Sequence, residues 1–112
     1  MKIYHNPDCS KCVMTLAILK ENDIAPEIVH YLDTPPTAEE LTSLVQKLGI
    51  SPLELIRQNE PIFQEKYAGK TRSDEEWIAA MVAHPILMER PIVIRGDRAV
   101  IGRPPVRVLE IL

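Results

Sequence analysis

Apolar and polar positions follow two different periods along this chain, and each change of period marks an element. Ile3 and Tyr4 form a short strand that stops at His5-Asn6-Pro7-Asp8. That loop is made of turn and helix-start residues, with Asp8 placed to cap the helix that follows. From Cys9 to about Asn22, the residues Cys12, Val13, Leu16, Ala17, Ile18 and Leu19 predict an apolar helix with one broad buried face. It is closed by the polar run Lys20-Glu21-Asn22-Asp23. Glu27 to Leu32 is rich in β-branched residues and lies between Pro26 and Asp33-Thr34-Pro35-Pro36, so it reads as a second strand.

The middle of the chain is helical. Thr37 and Glu40 make a T-x-x-E capping box, Leu41, Leu44, Val45 and Leu48 fall on one helix face, and Gly49 ends that helix. Short helices are expected from Pro52 to about Arg57 and from Pro61 to Tyr67, with a break at Gly69-Lys70. Ser73 and Glu76 form a second capping box, opening a helix through Trp77, Ile78, Met81 and Val82 that stops before Pro85. The last third returns to strands, Pro91–Ile94 and Ala99–Ile101, joined by the hairpin turn Gly96-Asp97. Val106 to Leu112 reads as a short terminal helix after Arg103-Pro104-Pro105.

The order is β-α-β, a helical insert at about 37–83, then β-β-α. It predicts an α/β fold with one four-stranded mixed sheet, flanking helices, and a first strand pair that is parallel with a right-handed crossover. The length of 112 residues suits a single domain spanning 1–112. A chain 46% hydrophobic with net charge −3 is not disordered, and it has no apolar run of the length a membrane span needs. A pI near 5.6 argues against direct nucleic-acid binding over a broad surface. Because Met1 leads straight into the first strand, no signal peptide is expected, and the protein is read as cytoplasmic.

Cysteine usage changes the picture most. The chain has only two, Cys9 and Cys12, which is too few for a disulfide framework. Cys9 follows a strand and a loop at the start of a helix, where free N–H groups and the positive dipole end favour an anion. A thiolate is an anion, so the Cys9 pKa should fall below that of a free thiol. Cys12, one turn along, is spaced to attack a mixed disulfide on Cys9. Only His5 stands nearby as a further metal ligand, and structural zinc takes four, so no metal is expected.

The string His5-Asn6-Pro7-Asp8-Cys9-Ser10, with Leu55-Ile56-Arg57, His84-Pro85-Ile86-Leu87-Met88-Glu89-Arg90-Pro91-Ile92-Val93 and Ile101-Gly102-Arg103-Pro104, resembles the ArsC/Spx-type arsenate reductase family, in its short YfgD-like branch. The resemblance implies a thioredoxin/glutaredoxin-like fold. It also implies an arsenate reductase that has no bound cofactor and draws on glutathione and glutaredoxin, or on thioredoxin. Cys9 would be the nucleophile toward arsenate or a similar oxyanion, and Arg57, Arg90 and Arg103 the oxyanion-binding arginines. That role suits guanidinium, whose charge is permanent and whose planar fork matches tetrahedral oxyanions. His5, Asn6, Ser10, Lys11 and Pro91 would support the loop. His5 either lowers the Cys9 pKa as a cation or orients the loop by hydrogen bonding, and Pro91 matches the cis-proline that faces the active cysteine. The sequence departs from the reductase pattern at Cys12, usually not cysteine, and at Val13, usually arginine; Lys11 supplies charge there without the fork. Cys12 as a resolving thiol points to two alternatives. One is a thiol–disulfide oxidoreductase; the other is an Spx-like redox regulator that contacts RNA polymerase.

Overall fold

The strand that begins the chain is an interior one. In the computed structural model, which describes residues 1–112, the chain divides into two compact units, Met1–Thr34 with Arg90–Leu112, and Pro35–Glu89. The first unit holds β1 (Lys2–His5), α1 (Ser10–Glu21), β2 (Glu27–His30), β3 (Ile92–Arg95), β4 (Arg98–Ile101) and a terminal 3₁₀ segment, Pro105–Ile111. Its four strands lie in the order β2-β1-β3-β4. β1 runs parallel to β2, from Lys2↔Glu27 to His5↔His30, and antiparallel to β3, with Ile3↔Val93 and Tyr4↔Ile92. The mixed sheet predicted from the element order is therefore present.

Strand alternation sorts the buried residues by face. Ile3, Val93 and Val100 join Leu19 of α1 and Val108 and Ile111 of the terminal segment in one buried cluster. Tyr4 and Ile92, paired on the opposite face, are also buried. Each such side chain contributes roughly 1.5–3 kcal/mol by leaving water. The turn into β4 needs a left-handed residue, and Gly96 supplies it at φ 59°.

Several boundaries differ from the sequence reading. β2 stops at His30 instead of Leu32, because the His30 carbonyl accepts the N–H groups of Asp33 (3.0 Å) and Thr34 (2.9 Å) in a turn that carries Tyr31 off the ladder. The buried face of α1 is narrow: Cys12, Thr15 and Leu19 are buried, while Val13 and Met14 are exposed. The terminal segment is 3₁₀ instead of α, as a short run begun by Pro105 permits.

The second unit contains α2 (Ala38–Leu48), α3 (Pro61–Lys66) and α4 (Asp74–Ala83), with 3₁₀ segments at Pro52–Leu55 and Pro85–Leu87, the latter not anticipated. Both predicted capping boxes form. Thr37 Oγ1 accepts the Glu40 N–H (3.1 Å), and Ser73 Oγ accepts the Glu76 N–H (3.2 Å). Gly49 closes α2 at φ 69°. Phe63 stacks on Trp77 at 5.9 Å between ring centroids, and an isolated bridge pairs Ile56 with Met88. No helix is long and apolar enough to cross a membrane.

Candidate active site

The loop between β1 and α1 is folded by Asn6. Its Oδ1 accepts the Asp8 N–H and its carbonyl accepts the Cys9 N–H, both at 3.0 Å. This corrects the expectation for Asp8: the N-cap of α1 is Cys9, extended at φ −99° and ψ 117°, and no side chain caps the helix. In an ordinary helix, a Ser or Asp oxygen at this position accepts the second and third N–H groups of the first turn. Here those groups belong to Lys11 and Cys12, and they favour the charged form of the Cys9 sulfur.

Opposing effects set the acidity of Cys9. Burial pushes its pKa up. Hydrogen bonds from the Cys12 N–H, the Cys12 thiol, the Arg90 guanidinium and the Lys11 N–H outweigh that and hold it below the ordinary thiol range. Cys12 goes the other way. It is fully buried, and burial first, then the adjoining Cys9, push it up to about 11, against a lowering contribution from the Asn6 backbone. One thiol is thus primed as thiolate and its neighbour held as thiol. Iodoacetamide alkylation followed by peptide mass mapping should give Cys9 a half-maximal rate at a pH below that of a free thiol. Cys12 should stay unmodified until the pH nears 11. Equal profiles for the two would contradict this division.

Two arginines of the same unit come to the sulfur. Arg103 Nη2 lies 3.8 Å from Cys9 Sγ, while its Nε donates to the Arg90 carbonyl at 2.6 Å. Arg90 stands beside Cys9, with its Nε and Nη1 buried and without hydrogen-bond partners. Both precede cis peptide bonds, Arg90–Pro91 and Arg103–Pro104. The segments interlock at Gly102, whose N–H donates to the Pro91 carbonyl at 2.8 Å. A Cβ at Gly102 would sit 2.8 Å from both Pro91 Cγ and Thr15 Oγ1, the latter on α1. Only glycine allows that approach.

The remaining predicted residues are distributed as follows. Arg57 belongs to the second unit, where its N–H donates to the Leu87 carbonyl (2.7 Å) and its Nε lies 3.6 Å from Glu60 Oε1; its Nη1 is buried and unpaired. His5 is buried. Burial, and secondly the charge of His30, lower its pKa and keep it neutral. Its ring lies edge-on to His30 at 5.9 Å, and its Nδ1 makes no hydrogen bond, so the imidazole is placed by packing. Ser10 is exposed and Lys11 half-buried at the helix start. His5, Asn6, Pro7, Asp8, His30, Leu32 and Asp33 line a shallow pocket of about 200 Å³. No group of three or more His, Cys, Asp or Glu is arranged to hold a metal ion.

Three residues that shape the surroundings of the site were not singled out from the sequence. Thr15 read only as part of a helix, Gly102 as the residue before an arginine, and Tyr31 as a strand residue. A signal for Tyr31 was present in the strand pairing: a residue following the partner of His5 must fall next to the cysteine loop. Its side chain is fully buried beside Arg90.

A mixed sheet ordered β2-β1-β3-β4, with a cysteine of lowered pKa at the N-cap position of the first helix, defines a thioredoxin-like protein. The profile of the ArsC family matches residues 4–111, and the chain belongs to that family. It is 52% identical over 114 residues to the YfgD protein of Escherichia coli strain K12, covering all of this chain and 96% of that one. It is 42% identical over 111 residues to an arsenate reductase of the same strain, covering 98% of this chain and 79% of the other. Among solved structures, the arsenate reductase from Vibrio cholerae superposes with a TM-score of 0.95 at 46% identity, over 100% of this chain and 98% of that one. A putative arsenate reductase from Yersinia pestis gives 0.94 at 42%, over 98% of each chain.

Proposed function

We propose that the protein reduces arsenate to arsenite, with Cys9 as nucleophile and Arg90, Arg103 and Arg57 as the oxyanion-binding arginines of a single working domain. The observation that carries this reading is the meeting of two arginines at the sulfur. Arg103 Nη2 lies 3.8 Å from Cys9 Sγ at the start of α1, with buried donors of Arg90 beside it. Fixed donors aimed at developing negative charge are the largest single source of barrier lowering in such sites.

In this mechanism Cys9 Sγ attacks arsenic, an S–As bond forms, and one arsenic-bound oxygen leaves as water after taking up protons. A second thiolate then attacks Cys9 Sγ. The new S–S bond forms as the S–As bond breaks, and that electron pair stays on arsenic, which departs as arsenite. Two electrons have passed from two thiols to arsenic. The second thiol is glutathione, with glutaredoxin or thioredoxin clearing the resulting disulfide, or it is Cys12. Burial and the neighbouring sulfur keep Cys12 protonated in the resting protein, and bonding of Cys9 to arsenic removes the second of these constraints.

Purified protein with arsenate, glutathione and glutaredoxin should form arsenite; none formed either with this mixture or with thioredoxin would overturn the reading. Cys12→Ser separates the two resolving routes. If Cys12 resolves, turnover with thioredoxin falls at least tenfold in this variant and a Cys9–glutathione adduct accumulates on mass spectrometry. Unchanged turnover assigns resolution to the external thiol. A second reading, general thiol–disulfide exchange, is favoured by the coupling of the two thiols: Cys12 lowers the Cys9 pKa and Cys9 raises that of Cys12, which divides them into attacking and resolving groups. Protein disulfides reduced faster than arsenate would select it.

A further inference from the structure

A buried hydroxyl whose proton has no acceptor is unusual, because leaving a buried polar group unpaired costs on the order of 1–3 kcal/mol. Tyr31 carries one. Its side chain is fully excluded from solvent, its Oη makes no hydrogen bond of normal geometry, and the side chain that reaches it is Arg90, a donor that cannot accept the phenol proton. Arg90 itself has two buried donors, Nε and Nη1, without partners of normal geometry. The pair therefore holds donors that packing alone does not satisfy.

Sheet order accounts for their meeting. β1 pairs with β2 up to His5↔His30, and Tyr31 opens the turn that follows. On the other side of β1, β3 pairs from Tyr4↔Ile92, and Arg90 lies two residues before Ile92. Tyr31 and Arg90 therefore lie at the same end of the sheet, where β1 turns into the cysteine loop. Arg90, Cys12 and Cys9 all act on the Tyr31 hydroxyl electrostatically. Burial, first of these influences, pushes the phenol up to about 12, so it keeps its proton and remains a donor.

We infer that Tyr31 Oη is a further oxyanion donor of the Cys9 site, giving a hydrogen bond to a tetrahedral oxyanion that Arg90 holds at the same time. The bound anion satisfies the atoms that the free protein leaves unpaired. Tyr31 supplies a hydrogen bond without charge, complementing the arginines, and selects ligands with an acceptor oxygen at that position. The inference rests on the proposed reading of the site and names one more residue that touches the substrate.

Tyr31→Phe tests it, because this change removes only the unpaired oxygen. Loss of a buried hydroxyl with no partner should leave the melting temperature equal or slightly raised. Loss of a hydrogen bond to a charged ligand should lower kcat/KM for arsenate roughly 10- to 100-fold. A second readout needs no turnover: protection of Cys9 from iodoacetamide by arsenate, with phosphate as a parallel probe. The variant should need at least tenfold more anion for half-protection, with the same alkylation rate when no anion is present. If wild-type protein forms no arsenite but arsenate still protects Cys9 and Tyr31→Phe weakens that protection, the reductase reading falls and the donor role stands. Equal protection in wild type and variant overturns the donor role, as does an absence of protection in both.

Discussion

Cys9→Ser is expected to abolish arsenite formation while leaving the fold intact. The two halves of this outcome have one origin, the N-cap position. Serine is among the preferred N-cap residues, and its oxygen is suited to accept first-turn N–H groups that no side chain now caps. Helix α1 is therefore not weakened, and the melting temperature should stay within a few degrees. The chemistry does not survive, because hydroxyl is not ionised at neutral pH and an oxygen bonded to arsenic cannot pass its electrons on through a disulfide. Arsenite measured with glutathione and glutaredoxin should fall to the level of the reductants alone. Residual turnover above that level would mean that arsenic meets another thiol, and Cys12, the only other cysteine, would be the one to remove next.

Gly102→Ala is expected to damage stability and site together. The added methyl meets Pro91 Cγ and Thr15 Oγ1 at 2.8 Å, one on the segment carrying Arg90 and the other on the helix carrying Cys9. Overpacking of this kind costs about 1–3 kcal/mol, and the melting temperature should drop by roughly 4 °C or more on calorimetry. Relief can come only by separating α1 from the Pro91 and Gly102 segments. That separation withdraws Arg90 and Arg103 from the sulfur and returns the Cys9 pKa toward the ordinary thiol range. The alkylation profile of Cys9 should shift to higher pH accordingly. Thr15→Ala added to Gly102→Ala should recover part of the loss, since Thr15 Oγ1 is buried without a hydrogen bond and little is lost with it. Unchanged melting and alkylation in the single variant would show that the neighbours give way without cost.

Much of the fold was legible because local chemistry and tertiary structure agree. The Thr37/Glu40 and Ser73/Glu76 boxes, the left-handed Gly49 and Gly96, and the β-branched strands all mark elements that the structure contains. The acidity of Cys9 was legible for the same reason: a strand, a loop and a helix start place its sulfur among free N–H groups whatever the rest of the chain does. What the pattern hid was set by distant partners. Asp8 looks like a cap, yet Asn6 takes its N–H and turns the loop so that Cys9 fills the position. Tyr31 looks like a strand residue, and only the pairing of β1 with both neighbours brings it to Arg90. Gly102 has no side chain to read, and its value lies in what a methyl would strike. Arg57, by contrast, was named from a resemblance, and its local surroundings are a carboxylate and a carbonyl of its own unit.

Because the N–H groups at the start of α1 favour the charged sulfur, activation and stability are linked. A group whose pKa is lower folded than unfolded lends stability above its unfolded pKa and withdraws it as pH falls through the folded value. Acidifying the protein past the Cys9 pKa therefore weakens the first turn of α1 as it disarms the thiol. Any reagent that spends the thiolate in a covalent bond does the same at constant pH. The folded molecule is most stable when its nucleophile is charged, and a covalent bond to the sulfur gives up that contribution until the thiolate is restored.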